Sequence, residues 1–147
     1  ISEENEIVAL SNVKKLTGLK GRWDLVSENP YIIHDVAHNK DGINVLLYQL
    51  NTEYPESNYH FIIGFVNDKD ISSILELLPK NASYYFTNAH LPRALDHKKL
   101  KEMANLIGLN GNSYDNVNEA ISEAKKMATQ KDVIIVCGSF FILFEVN

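Results

Sequence analysis

The stretch that decides the fold is residues 31–39, which read Tyr-Ile-Ile-His-Asp-Val-Ala-His-Asn. It begins as an apolar run typical of a buried strand and ends abruptly in an acid, a small residue, a histidine and an amide. An open α/β sheet binds its ligands at the carboxyl ends of the strands. Asp35 and His38 are therefore the first candidates for chemistry.

Short apolar runs and one-faced helical patterns alternate along the rest of the chain. The runs are rich in Ile, Val, Tyr and Phe, as expected for strands that are covered on both sides. The helical patterns carry apolar residues at positions i, i+3, i+4 and i+7. The predicted strands are 31–35, 59–66, 83–87 and 132–137, and the helical patterns begin at Ile43, Ile71, Leu100 and Val117.

This alternation predicts an α/β domain with a mostly parallel sheet and helices on both faces, which makes three layers. The last apolar stretch, 140–146, follows Gly138 and Ser139 directly after a strand, and we interpret it as a buried helix that this pair opens. Residues 1–20 stand apart from the pattern. They are predicted to be a linker, or the tail of a preceding domain, with a short helix over 6–19.

Composition excludes several classes of protein. The 147 residues carry a formal charge of −5, and their basic residues are scattered, which argues against a nucleic-acid or anionic-membrane surface. No apolar run approaches the roughly 18 residues of a membrane span. Cys137 is the single cysteine and lies in an apolar run, so an intrachain disulfide is impossible and a cytoplasmic location is expected.

Three polar clusters fall at the predicted carboxyl edge of the sheet: residues 35–39, residues 87–90 and the pair Gly138-Ser139. A carboxylate such as Asp35 can accept hydrogen bonds from a ribose or an ammonium group. His38 can bind a carboxylate when it is protonated and can donate a hydrogen bond when it is neutral. Gly138 allows a ligand close to the backbone, and Ser139 offers a hydroxyl and backbone N–H groups to an anion.

Purely structural interpretations stand beside these. Asp35 and Asn39 are also plausible caps of the helix that follows them, and Ser139 is as plausible a cap as a ligand contact. His90 and Arg93 lie on a loop at the same edge and are open to either interpretation. His34 is predicted to be a core histidine, and His60 and His97 to be ordinary surface or strand residues.

The usual motifs for holding a nucleotide are missing. The chain has neither a G-x-x-x-x-G-K-[ST] phosphate loop nor a G-x-G-x-x-G fingerprint, and no closely spaced metal ligands. The chain is therefore not expected to be a kinase or dehydrogenase that works by itself. Any nucleotide site in this chain needs help from elsewhere.

Several motifs in order along the chain resemble one family. The motifs are Gly21-Arg22, the D-x-A-H-N element at 35–39, Gly-Phe-Val-Asn-Asp-Lys-Asp at 64–70, Pro-Arg-Ala-Leu at 92–95, and Cys-Gly-Ser at 137–139 before an apolar tail. Together they resemble the carboxyl-terminal domain of folylpolyglutamate synthase and dihydrofolate synthase, a branch of the Mur ligase superfamily. The resemblance covers 13–147, and D-x-A-H-N is shared with other Mur-type ligases.

The resemblance implies a Rossmann-like domain over 21–147, packed against a larger amino-terminal ATPase domain with the active site between them. It also implies that the two domains close over the substrates, with a hinge expected near 17–21. It implies that ATP phosphorylates a folate or dihydropteroate carboxylate and that the amino group of L-glutamate attacks the acyl phosphate, which leaves ADP and phosphate. The phosphate loop and the Mg²⁺ ligands are expected on the larger domain. This chain alone is expected to fold as a monomer but not to catalyse.

The resemblance also assigns individual residues. Arg22 and Asp35 match residues that contact ATP, and His38 and Ser139 match the pair near the incoming glutamate. Asn39, His90 and Arg93 are further candidates, and no metal ligand is expected in this chain. Two alternatives stay open: another Mur-type ligase, such as one acting on a peptidoglycan precursor, and a small-ligand binding module without chemistry.

Overall fold

The computed structural model describes residues 21–67 and 70–147, which form six strands and five helices, and strands and helices alternate after the first two strands. The predicted linker over 1–20, with its short helix and most of its hinge, lies outside the described residues. In chain order the elements are β1 Asp24–Glu28, β2 Tyr31–His34, α1 Lys40–Glu53, β3 Tyr59–Ile63, α2 Ile71–Leu77, β4 Ser83–Phe86, α3 His97–Leu106, β5 Gly111–Ser113, α4 Val117–Met127, β6 Val133–Cys137 and α5 Phe140–Phe144.

The strands form one sheet in the order β1-β2-β6-β3-β4-β5. Every neighbouring pair is parallel except β1 and β2, which are antiparallel. The predicted α/β class and mostly parallel sheet are therefore confirmed. The four strands that apolar runs predict, β2, β6, β3 and β4, lie side by side at the centre of the sheet.

Helices cover both faces of the sheet, which explains why its central strands carry apolar side chains on both faces. Alternate side chains such as Ile33 and Ile135 point to the face covered by α1, α2 and α3. Their neighbours, such as Ile32 and Ile134, point to the face covered by α4 and α5. All four are 4% exposed or less, so the two cores share the strands as a common wall.

Each helix begins with a polar side chain that accepts a hydrogen bond from the first turn. The caps are Asn39, Asp70, Asp96, Asn116 and Ser139. Such a cap satisfies a backbone N–H that has no partner within the helix. Because these helices follow strands of a parallel sheet, their starts lie at the edge where the candidate site was predicted. No helix within the described ranges is long and apolar enough to cross a membrane.

Candidate functional site

Backbone hydrogen bonds join the loops at the carboxyl ends of the central strands. The Gly138 N–H donates to the Ala37 carbonyl at 2.8 Å, and the Asp35 N–H donates to the Val136 carbonyl at 3.0 Å. On the other side of β3, the Thr87 N–H donates to the Ile63 carbonyl at 2.8 Å. The three polar clusters therefore lie along one edge of the sheet, as the sequence predicts.

The turn that carries Arg22 is fixed to this edge. The Val36 N–H donates to the Gly21 carbonyl, and the Trp23 N–H donates to Asp35 Oδ2 at 2.9 Å. Gly21 has φ +86°, and Trp23 has φ +46°, which is rare for a residue with a side chain. These bonds hold an exposed arginine beside the 35–39 loop, although it precedes β1 in the chain.

Both carboxylate oxygens of Asp35 accept backbone hydrogen bonds. Oδ2 binds the Trp23 N–H, and Oδ1 binds the Ala37 N–H at 2.8 Å. Asp35 thus organises two loops and does not cap α1.

The cap of α1 is Asn39, whose Oδ1 accepts from the Gly42 N–H at 2.8 Å. The neighbouring His38 is exposed, and its Nδ1 lies 2.9 Å from the Val36 carbonyl. In a neutral ring this contact places the proton on Nδ1, because a carbonyl only accepts. Nε2 then remains as an acceptor for a donor group such as an amine.

The Gly138-Ser139 pair makes a tight connection between β6 and α5. Gly138 has φ +105°, and a Cβ at this position would lie 2.6 Å from the Gly64 carbonyl oxygen. Ser139 is 4% exposed, and its Oγ accepts from the Phe141 N–H at 3.1 Å. The structure therefore uses Ser139 as a cap, and its hydroxyl still has a hydrogen to donate.

His90 and Arg93 lie on the loop that follows β4. The His90 side chain contacts Glu145 and Asp115, and the Arg93 guanidinium lies over the Phe141 ring, 5.9 Å from its centre. Glu145, 55 residues from His90, was not predicted. Nothing in the sequence pairs them, since the contact depends on where α5 ends relative to the β4 loop.

Two other groups are not arranged for chemistry. Cys137 is fully buried, and burial raises the pKa of its thiol, so it stays protonated at neutral pH, as a core residue. Among the residues described, no group of three His, Cys, Asp or Glu side chains could hold a metal ion.

A groove of about 930 Å³ lies between β1, α4 and α5, and its lining includes Gly21 and Phe140. Its lining mixes polar side chains such as His34 and Ser122 with apolar ones such as Phe144. His34, predicted as a core histidine, is only partly buried there. Burial lowers the pKa of its imidazole, and nearby Asp24 opposes that effect.

Comparison with known proteins agrees with this geometry. The family model described as "Mur ligase, glutamate ligase domain" matches residues 21–140. A dihydrofolate synthase/folylpolyglutamate synthase of Buchnera aphidicola subsp. Schizaphis graminum is 33% identical over 141 residues, which are 91% of this chain and 33% of the relative. The chain thus spans about a third of that relative.

Solved structures show the same relationship. Escherichia coli FolC in complex with DHPP and ADP superposes with a TM-score of 0.77 at 32% identity, over 85% of this chain and 30% of that one. A bifunctional folylpolyglutamate synthase/dihydrofolate synthase with Mn, AMPPNP and L-glutamate bound gives 0.76 at 31% identity, over 84% and 30%. The chain belongs to the Mur ligase glutamate ligase domain family.

Proposed function

We propose that this chain is the carboxyl-terminal part of an ATP-dependent folylpolyglutamate/dihydrofolate synthase. The enzyme would join L-glutamate to a folate or dihydropteroate carboxylate through an acyl phosphate and release ADP and phosphate. The observation that carries the proposal is the fixed arrangement of Arg22, Asp35, His38 and Ser139. Three separate segments, the turn at 21–23, the loop at 35–39 and the pair at 138–139, present them along one edge of the sheet, in a fold shared with known synthases.

Arg22 and Asp35 are proposed to contact the nucleotide. The guanidinium of arginine is permanently charged and offers paired donors that suit phosphate oxygens. The Asp35 carboxylate, which the Trp23 and Ala37 N–H groups hold in place, is proposed to accept a hydrogen bond from a ribose hydroxyl, since one carboxylate oxygen can accept more than one bond. Because Asp35 also holds the Arg22 turn, the two contacts form together.

His38 and Ser139 are proposed to meet the incoming glutamate. Nε2 of His38 suits an amino group, and the Ser139 hydroxyl can donate to a carboxylate. Arg93 is a further candidate for a glutamate carboxylate, because its guanidinium lies over Phe141, two residues after Ser139. Asn39 is left as the cap of α1, and His90 is already paired with Glu145.

The other two-thirds of the enzyme are expected upstream of this chain. They would supply the phosphate loop, the Mg²⁺ ligands and most of the folate pocket. Bringing three substrates together is mainly a problem of positioning, for which oriented intramolecular reactions reach effective molarities of about 10⁵–10⁸ M. A cleft between two domains also keeps water from the acyl phosphate. A cytoplasmic location and a monomeric state belong to the same proposal.

Phosphate release tests this proposal in the protein expressed with its native upstream region. Release that requires ATP, glutamate and either tetrahydrofolate or dihydropteroate is expected. Arg22→Ala should raise the KM for ATP by about 10- to 100-fold, the value of a charged hydrogen bond, and His38→Ala should raise the KM for glutamate by about tenfold. Glu76→Ala, at an exposed position on α2, is the control and should change neither value.

Two results would contradict the proposal. Activity with a peptidoglycan precursor but with neither folate acceptor would establish the alternative of another Mur-type ligase. Binding of ATP or glutamate without phosphate release from the longer protein would favour the binding module. The 147-residue chain by itself is expected to unfold cooperatively in urea and to hydrolyse no ATP.

A further inference from the structure

One side-chain cluster near the carboxyl edge of the sheet has no part in the proposed chemistry. Glu145 follows α5, and its carboxylate accepts from the His90 backbone N–H at 3.1 and 3.2 Å. Its Oε1 also lies 2.7 Å from His90 Nδ1. One carboxylate therefore binds both the backbone and the ring of the same residue, which fixes its position more firmly than a single contact would.

A second carboxylate faces the other side of the ring. Asp115, in the loop between β5 and α4, lies 3.6 Å from His90 Nε2 and 3.9 Å from His97 Nε2 at the start of α3. Glu145, Asp115 and His97 are the titratable groups that neighbouring elements place around His90. Two acids and two histidines thus join the β4 loop, the β5 loop and the end of α5.

The β4 loop that His90 anchors also carries Arg93. The Arg93 carbonyl accepts from the Asn67 N–H at 2.6 Å, so the loop is also tied to the β3 loop. The Arg93 side chain lies over Phe141, whose own N–H is bound by Ser139. The contact between Glu145 and His90 is therefore a polar link from the end of α5 to the β4 loop, with His90 three residues before Arg93 and Glu145 six residues after Ser139 in the chain.

We propose that Glu145, acting through His90, is a positioning residue that holds the Arg93 loop against α5, so that Arg93 and Ser139 meet the incoming glutamate in a fixed arrangement. The consequence for glutamate rests on the proposed function. The contact itself does not, and the two are measured separately below.

The protonation of His90 sets the strength of this contact. Its hydrogen bond to Glu145 is the main cause that raises the His90 pKa above the ordinary value of 6.5, with Asp115 adding to the effect. The positive charge is fully present below that ordinary value. It is lost as the pH rises through the raised pKa, so the contact weakens in alkaline solution.

The first test is an NMR titration of the histidine rings in the 147-residue chain, with His90→Gln used to assign the His90 signal. In Glu145→Gln the pKa of His90 should drop toward that of an ordinary histidine, and amide exchange should speed up in residues 88–95. In Glu102→Gln, an exposed acid on α3, neither should change. An unchanged His90 pKa, or unchanged exchange in this loop, would overturn the proposal.

The second test is steady-state kinetics of the longer protein. Glu145→Gln should raise the KM for glutamate about two- to fivefold, the range of a partly exposed ion pair, with kcat and the KM for ATP unchanged. The ratio of mutant to wild-type KM should shrink toward one at alkaline pH. A ratio of one at every pH would overturn the positioning role. Inactive wild-type enzyme would instead contradict the proposed function, and the NMR titration would still decide whether the contact exists.

Discussion

At the scale of single residues, Gly138 shows how closely the site is packed. Its φ of +105° is strained for any residue with a side chain, and a Cβ would lie 2.6 Å from the Gly64 carbonyl oxygen. We predict that Gly138→Ala lowers the free energy of unfolding by about 3 kcal/mol, because strain and a backbone contact add. Urea unfolding measures the change.

Gly108→Ala is the matched control for this substitution. Gly108 also has a positive φ, +87°, but a Cβ there would meet only the flexible Lys80 side chain at 3.6 Å. Gly108→Ala should lower the free energy of unfolding by about 1 kcal/mol, because only the backbone strain contributes. Equal losses in the two variants would show that the contact with Gly64 contributes nothing.

The sequence predicted which residues lie at the carboxyl edge of the sheet better than it predicted the hydrogen bonds that they form. Asp35 and Gly138 stand where an apolar run ends, and that pattern is local. The bond from Trp23 to Asp35 depends on a turn whose unusual φ follows from tertiary contacts, and no pattern indicates it. Glu145 was missed for the same reason. Arg22 was found only through the family resemblance.

At the scale of elements, α1 illustrates the helical patterns that the sequence predicted correctly. Leu46 faces the core and is 2% exposed, whereas its neighbour Val45 is 65% exposed. We predict that Leu46→Ala lowers the free energy of unfolding by about 2–5 kcal/mol through lost burial and a cavity. Val45→Ala should change it by less than about 0.5 kcal/mol. Similar losses in urea unfolding would mean that α1 does not pack as described.

Two strands were missed, and each lacks the apolar run on which strand prediction depends. β1 is an edge strand with exposed Leu25 and Val26, and it has one neighbour, β2. β5 has three residues, Gly-Asn-Ser. Its glycine, Gly111, lies so close to the Tyr84 carbonyl that a Cβ would overlap it. Strands at the two edges of the sheet are thus held by pairing and close approach, which periodicity does not report.

The predicted strand 59–66 was too long at its end. The structure ends β3 at Ile63, and the following Gly64 approaches the Thr87 carbonyl. Val66 then pairs in an isolated bridge with Ala94 on the β4 loop. The apolar run continues past the strand because Phe65 is buried in the core, at 2% exposed. Burial therefore explains Phe65, whereas Val66 is only partly buried and pairs with the β4 loop instead of a strand of the sheet.

At the scale of the whole molecule, a buried polar network joins segments far apart in sequence. His60 Nε2 lies 3.0 Å from Asp132 Oδ2, and His60 Nδ1 lies 3.0 Å from the Tyr85 hydroxyl. The Thr129 N–H also donates to Asp132 at 3.0 Å. The sequence indicated an ordinary position for His60. The structure confirms a strand residue, but one that is 5% exposed and fully partnered.

We predict that Asp132→Asn lowers the free energy of unfolding at neutral pH by about 1–3 kcal/mol, since it weakens buried hydrogen bonds to a charge. Burial raises the Asp132 pKa, but the bonds from Thr129, His60 and Asn58 outweigh it and hold the pKa below the ordinary 3.8. Because the folded protein lowers the pKa of this carboxyl, ionised Asp132 stabilises the fold at pH values above the ordinary pKa. This stabilisation is lost as the pH falls through the pKa of the folded state.

Urea unfolding between pH 7 and pH 3 checks this prediction. The difference in the free energy of unfolding between wild type and Asp132→Asn should stay constant near neutral pH and become smaller in acid. Glu56→Gln, in an exposed loop, should match wild type throughout. A gap that is the same at both ends of the range would assign the loss to packing and not to charge.

The turn at Gly21 has a consequence for timing. Gly21 is bonded to Val36, Asp35 to Trp23, and Gly138 to Ala37, and a Cβ on Gly21 would touch Leu143 of α5. The turn at Gly21 and the last helix, α5, are thus both held against the 35–39 loop by hydrogen bonds and close packing. Any swing of this domain carries Arg22, Asp35 and Ser139 as one rigid part. Arg22 and Asp35, proposed for ATP, and Ser139, proposed for glutamate, would therefore reach their substrates in the same movement.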